Sequence, residues 1–454
     1  MKNLPFNSTL MTLFMAVYRI AGFILLPFLL IYLWWRGRKD RLYTDHLGER
    51  FGLYKNATTR NHTVWVHAVS LGELRSAVPL IKALLQQGES IVTTHFTPVG
   101  RREAINTFSR EIKNGQLQVV YVPLEFDFAF KRFYNTLRPK YGLVMEVEYW
   151  PCMIASARRA GIPLFLCNGQ YPTRSFDRDT KGIGLRSRLV SGFAGVMVKS
   201  DLQAQRFRSL GVSNIAVTGE LRFDQPIPQN QLRAADKLQI QLPQTSQTIA
   251  IASAVEGEDD GYIETMLSIR KFTQSNNTLP VLFVYVPRAP ERFNDVKALL
   301  ENAGLSVATR STLLNEVLEC QHKPKAFDVL LGDSMGEMYF YLKLATQVIV
   351  GGGFTPNGAH NISEALALDK PVLVGPTLWT IEYPAMEAIE AGVVNSVENT
   401  GALINAITRT LTEQPAVNAQ QVRDFFAQHT GAIDKTLTAI PQLLANSQVG
   451  KPAA

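Results

Sequence analysis

Apolar residues crowd the start of the chain and then settle into short, spaced runs. Between Leu10 and Trp35 only Thr12, Tyr18, Arg19 and Tyr32 break the apolar character. A helix over that stretch has roughly the length needed to cross a bilayer. Arg19 lies inside it and Pro27 would kink it. The arginine must therefore snorkel or sit at the interface, which leaves two pictures: a spanning anchor, or a helix inserted in one leaflet. No small-x-small cleavage site follows. Trp34 and Trp35 lead instead into Arg36, Arg38, Lys39 and Arg41, the order of a cytoplasmic membrane face. Residues 1–35 thus read as a retained anchor, with the remainder on the cytoplasmic side and able to fold without it.

Downstream, β-type runs at 63–69, 91–96, 118–122, 143–147, 164–167 and 196–199 alternate with helix-like segments such as 73–86 and 149–160. This alternation predicts a mostly parallel, doubly wound sheet. Residues 225–247 are polar, carry Pro226, Pro228 and Pro243, and read as a connection holding one short helix. The pattern restarts with runs at 248–252, 281–286, 328–331, 347–350 and 371–374. The expected organisation is α/β, with Rossmann-like domains at 36–224 and 248–446, a linker at 225–247 and a disordered tail at 447–454. Such tandem domains bind ligands in a cleft at the carboxyl ends of their strands.

A chain of 454 residues is long enough for two cores. Its three cysteines, Cys152, Cys167 and Cys320, form no CxxC pair, which argues against a disulfide framework or a structural zinc site. The net charge of +7 is unevenly placed: residues 36–180 hold 21 Lys/Arg against 13 Asp/Glu. An anionic surface or substrate on that side explains the excess, and so does a merely soluble basic surface. Nucleic acid is disfavoured, because zinc-finger spacing, an RNP-like stretch and an arginine-rich arm are all missing.

The first strand–helix turn reads HAVSLGELRSA, residues 67–77. Gly72 stands alone where a dinucleotide fingerprint needs three spaced glycines, which argues against an NAD-linked oxidoreductase. Glu73 opens the next helix, whose amino terminus favours the ionised carboxylate a general base needs. By position alone an ordinary first-turn glutamate is the simpler reading. In MEVEYWP (145–151), Glu146 and Glu148 sit two apart and point the same way on an extended backbone. Bracing of a loop or of cationic substrate-binding side chains suits them better than a metal pair. EGEDD (256–260) is read as acids complementing a helix dipole.

The second half is richer. VPRAPERF (286–293) places Arg288 just beyond a strand, ready for an anionic ligand. GDSMGEM (332–338) carries a strand through a turn into a helix, offering backbone N–H groups to a phosphate. GGGFTPNGAHNISEALAL (351–368) reads as a flexible glycine-rich loop entering a helix, with Asn361 and Glu364 three apart on one face. Amides for phosphate and a carboxylate for ribose hydroxyls suit a nucleotide.

Taken in order, these segments resemble the Kdo (3-deoxy-D-manno-octulosonic acid) transferases of lipid A glycosylation, the GT-B enzymes of glycosyltransferase family 30. The series runs through WVHAVSLGE, EVEYWP, a shortened NARLS-type segment at 168–175, GELRFDQP, ASAVEGE, VPRAPERF, DSMGEM and VGGGFTPNGAHNISEAL, spanning roughly residues 65–392. The resemblance implies a GT-B fold and inverting transfer of Kdo from CMP-Kdo to a lipid A precursor (lipid IVA) in lipopolysaccharide core synthesis. It implies Glu73 as catalytic base and Glu148 as a second active-site acid. Arg222, Arg288, Ser334, Met335, Gly336, Asn361 and Glu364 fall on positions that bind the nucleotide sugar. No metal or other cofactor is implied; the partners are CMP-Kdo, a phosphorylated glycolipid and the inner membrane. Ala289, Ala359, Ala365 and the GQYPT stretch depart from the usual pattern. The alternatives are another GT-B transferase with a nucleotide sugar and a lipid acceptor, and a non-catalytic homologue that binds nucleotide or glycolipid.

Overall fold

The predicted runs become strands because each is covered by helices on both faces, as the unbroken burial of Thr63–His67 and Val281–Pro287 illustrates. The computed structural model describes residues 6, 8–55, 62–181, 184–413 and 417–447; the expected tail, Ser447 apart, lies outside them. The chain divides into two units, Met1–Gln225 with Gly431–Ala454, and Pro226–Thr430.

In the first unit the strands are β1 (Thr63–His67), β2 (Ile91–His95), β3 (Leu117–Tyr121), β4 (Pro139–Met145), β5 (Leu164–Gly169), β6 (Gly195–Val198) and β7 (Ile215–Val217). They form one parallel sheet in the order β3-β2-β1-β4-β5-β6-β7. The second unit has β8 (Gln247–Ala254), β9 (Val281–Pro287), β10 (Val307–Thr309), β11 (Val329–Leu331), β12 (Gln347–Val350), β13 (Val372–Val374) and β14 (Val394–Ser396). Their order is β10-β11-β9-β8-β12-β13-β14, again parallel throughout. Chain direction across the sheet reverses between β1 and β4 in one unit and between β8 and β12 in the other. Loops leaving neighbouring strands diverge there and leave room for a ligand.

Two boundaries differ from the expected ones. The polar stretch 225–247 holds a full helix, Gln229–Gln241, which buries Ala234, Ala235 and Leu238 and packs on the helix Met338–Leu344 of the second unit. Its few apolar positions fall on one face, enough to dock a helix whose overall composition is that of a linker. The last helix, Ala432–Asn446, belongs to the first unit. Ala432, Ala439, Ile440 and Leu443 join the core built on Leu74, Ile81 and Leu221, and Asp224 accepts from the Gly431 and Ile433 amides at 2.7 Å each.

The N-terminal helix, Thr9–Gly37, begins at Ser8, whose Oγ accepts from Met11 N, and runs through Pro27 to its end. It is not a detachable tail. Met11, Met15 and Leu33 are buried, Leu26 and Leu29 pack against the Phe126 cluster, and the Phe23 and Phe126 rings lie 4.8 Å apart. Arg19 is paired with the first unit, its Nε 2.8 Å from Asp127 Oδ2. Val17, Ile20, Ile24, Phe28 and Ile31 form the outward, exposed face.

At the far ends of β5 and β6, Lys199 Nζ meets Glu220 Oε2 at 2.6 Å with both side chains 2% exposed. Asn168, in the left-handed region at φ 56°, donates to Glu220 Oε1 at 2.8 Å and accepts from Leu221 N at 3.1 Å. Lys199→Met leaves a buried carboxylate without its cation, and should lower stability at pH 7 by about 3–5 kcal/mol in urea unfolding.

Candidate active site

Ser70 starts the helix Leu71–Gln86, its Oγ accepting from Glu73 N at 3.3 Å. The Glu73 carboxylate folds back on this cap: Oε2 accepts from Val69 N at 2.8 Å and Oε1 from Ser70 Oγ at 3.0 Å. The reciprocal cap fixes the carboxyl over the end of β1. Burial, and next the neighbouring Glu148, push Glu73 up to about 7. Glu148 is itself raised, again chiefly by burial, although its Oε2 accepts from Trp150 Nε1 at 2.5 Å. The two acids expected to act at this end of the sheet are therefore neighbours.

Glu146 and Glu148 do not point the same way. β4 stops at Met145, and Glu146 takes φ 57°, so the backbone turns where an extended strand was expected. Glu146 Oε1 instead accepts from Arg222 Nη2 at 3.0 Å, while Arg222 Nε donates to Ser76 Oγ at 3.0 Å. The cation Arg222 is thus braced by an acid within the first unit, apart from the other candidate nucleotide-binding residues, which all belong to the second. His67 lies beneath, fully buried, with Nδ1 2.8 Å from Thr94 Oγ1 and its ring edge-on to Trp150. Burial pushes it down to about 3, so it is neutral.

In the second unit the loops after β9, β11 and β12 carry the remaining candidates. Arg288 N is tied to Ala254 O at 2.9 Å. Its guanidinium bears on His360, which burial first and Arg288 second push down to about 4. Ser334 Oγ is engaged within its own loop, by Glu337 and by Tyr341 Oη at 2.5 Å. Met335 is 61% exposed, and Gly336 sits at φ 80°, where a side chain would be strained. Asn361 and Glu364 do not share a helical face. The helix is only Ser363–Leu366, and Asn361 precedes it, its Oδ1 accepting from Ser363 N at 3.0 Å. Glu364 lies near Tyr339, whose hydroxyl it helps to raise after burial.

The glycine-rich segment is packed rather than flexible. A Cβ on Gly351 would lie 2.5 Å from Ser253 O, and one on Gly353 2.6 Å from Gly375 N. Glu258, 3% exposed, takes the Gly352 amide at 2.8 Å, Phe354 N at 3.1 Å and Val255 N at 3.2 Å. Those amides, expected to meet a phosphate, are already used. Glu258 belongs to the EGEDD run read as dipole complement; it carried no local signal of this role, because the glycine segment it gathers lies 94 residues on. Two further braces likewise carried none. Arg310 makes a two-pronged pair with Glu337 at 2.7 and 2.6 Å, and Gln231 donates to Gly336 O at 2.8 Å and accepts from Phe340 N at 3.2 Å.

Two parallel seven-stranded sheets, each with its own switch point, have the architecture of the GT-B fold. A glycosyltransferase from Rickettsia africae shares the fold, with a TM-score of 0.57 at 14% identity over 86% of this chain and all of that one. A family model described as 3-deoxy-D-manno-octulosonic-acid transferase (kdotransferase) matches residues 45–225. The 3-deoxy-D-manno-octulosonic acid transferase of Bordetella pertussis is 35% identical over 436 residues, 94% of this chain and 99% of the relative. That of Haemophilus influenzae is 30% identical over 86% of this chain and 88% of its own length. The chain belongs to the Kdo transferase family.

The raised Glu73 has a stability consequence. Between its ordinary value near 4.5 and about 7, the folded protein holds a proton that the unfolded chain releases, so stability falls as pH rises through that window. Glu73→Gln removes this decline. Its melting temperature should match the parent at pH 4.5 and exceed it at pH 8.

Proposed function

We propose that this glycosyltransferase transfers Kdo from CMP-Kdo to a lipid A precursor, with inversion at the anomeric carbon, on the cytoplasmic face of the inner membrane. The observation that carries the reading is Glu73: a carboxyl held at the end of β1 with a proton affinity near 7, in a chain that matches a named Kdo transferase along nearly its whole length. A general base works best when its pKa lies near the operating pH. The acceptor hydroxyl gives its proton to Glu73 as its oxygen attacks the anomeric carbon, and the bond to CMP breaks with the electron pair leaving on the phosphate. Arg288 supplies positive charge for that phosphate or for the sugar carboxylate, and Glu364 an acceptor for ribose hydroxyls. No metal enters this scheme. The exposed Trp34 and Trp35, with Arg38 and Lys39 over their rings at 4.8 and 5.9 Å, support an interfacial end for the N-terminal helix at an anionic surface.

Incubation with CMP-Kdo and tetraacylated lipid A precursor should add Kdo to the lipid, read by mass spectrometry. CMP should raise the melting temperature and UDP should not; stabilisation by UDP with no Kdo product would point to a different nucleotide sugar. Glu73→Gln should keep its CMP stabilisation yet lose about 10²–10⁴ in rate. Because the base must be deprotonated, kcat/KM of the parent should fall as pH drops below about 7. Glu364→Ala should weaken CMP binding roughly tenfold or more in calorimetry, the loss of a charge-assisted hydrogen bond.

A further inference from the structure

Glu125 in the short connection after β3 and Asp127, which opens the helix Asp127–Leu137, lie between the N-terminal helix and the helix Pro151–Arg159. Glu125 is half-buried. Its Oε2 accepts from Cys152 N at 2.7 Å and its Oε1 from Met153 N at 3.0 Å. It thereby caps a helix whose own N-cap residue, Trp150, offers no capping side chain. Tyr18 lies beside the same carboxylate and packs against the core that holds Cys152 and Met153. One residue on, Arg19 Nε lies 2.8 Å from Asp127 Oδ2, an ion pair whose angle falls short of hydrogen-bond geometry. Asp127 Oδ1 accepts from Ser156 Oγ at 2.8 Å and from Arg159, both on that helix.

Two consecutive residues of the N-terminal helix therefore reach, each through one carboxylate, the first turn and the body of a single helix. That helix begins directly after Glu148 and Trp150, so whatever sets its first turn also sets how Glu148 is presented to Glu73. Resting on the reading of Glu73 as the base with Glu148 as a supporting acid, we propose that the N-terminal helix is a positioning element of the active site: Tyr18 and Arg19, through Glu125 and Asp127, hold Pro151–Arg159 and with it the loop bearing Glu148. The helix then does more than tether the enzyme to lipid.

Cys152 reports on the coupling without any substrate. Its thiol is pushed up to about 12, chiefly by burial, and is inert while the helix start stays packed. The test uses the full chain in detergent micelles on a Cys320→Ser background, with N-ethylmaleimide labelling of Cys152 followed by peptide mass spectrometry, and with kcat and KM for CMP-Kdo. Tyr18→Phe and Arg19→Gln should each label Cys152 about tenfold faster or more and lower kcat by a similar factor, with KM for CMP-Kdo unchanged. Arg19→Lys should restore both. Phe28→Ala, on the outward face, should change neither. Unchanged Cys152 labelling in Tyr18→Phe and Arg19→Gln overturns the coupling, and so does an equal loss in Phe28→Ala, which would make the helix a general lipid tether. If the parent transfers no Kdo, the proposed function fails while the labelling still decides the coupling.

Discussion

Glu73 is half-buried near the end of β1 with Glu148 close enough to raise it further, and the surrounding polar contacts are set around that pair. Two hydrogen bonds, from Val69 N and Ser70 Oγ, restrain Glu73 without cancelling its burial. The indole of Trp150 holds Glu148, and Glu146 is turned aside by its left-handed backbone to neutralise Arg222. Like charges this close raise each other's proton affinity. A carboxyl poised near neutrality is what acid–base work asks of it, and an isolated, solvated glutamate cannot supply it.

The parallel sheet makes that arrangement available. Between β1 and β4 the crossovers leave to opposite sides, so the residues after both strands meet where no connection covers them. The second unit repeats the device between β8 and β12, with a different filling. There Glu258 gathers the amides of the glycine segment, Arg310 clamps Glu337 and Gln231 anchors Gly336. These braces commit loop amides and hydroxyls to rigidity. Binding loops fixed in advance lose less entropy when a ligand arrives.

The N-terminal helix packs one of its sides against this frame. An arginine within an apolar helix is costly in hydrocarbon, and here Asp127 draws it toward the protein. The apolar face left outside is continuous from Val17 to Ile31, which suits a helix lying against its own domain better than one standing free of it.

The sequence by itself determined the class of fold, the apolar helix, the order of motifs and the family they belong to. Strand burial is written in unbroken apolar runs, and βα alternation admits few topologies. It also located Glu73, because a strand end followed by a helix start is a local feature. Only the tertiary structure decided what those residues touch. The pairing of Glu146 with Arg222 and the capture of glycine amides by Glu258 depend on partners distant in the chain. So does the return of Ala432–Asn446 to the first unit, where its apolar face fits a core built from residues more than two hundred positions earlier. Local propensity and periodicity fix which segments fold and in what form; which buried acid meets which amide is settled by packing, and packing has no local signature.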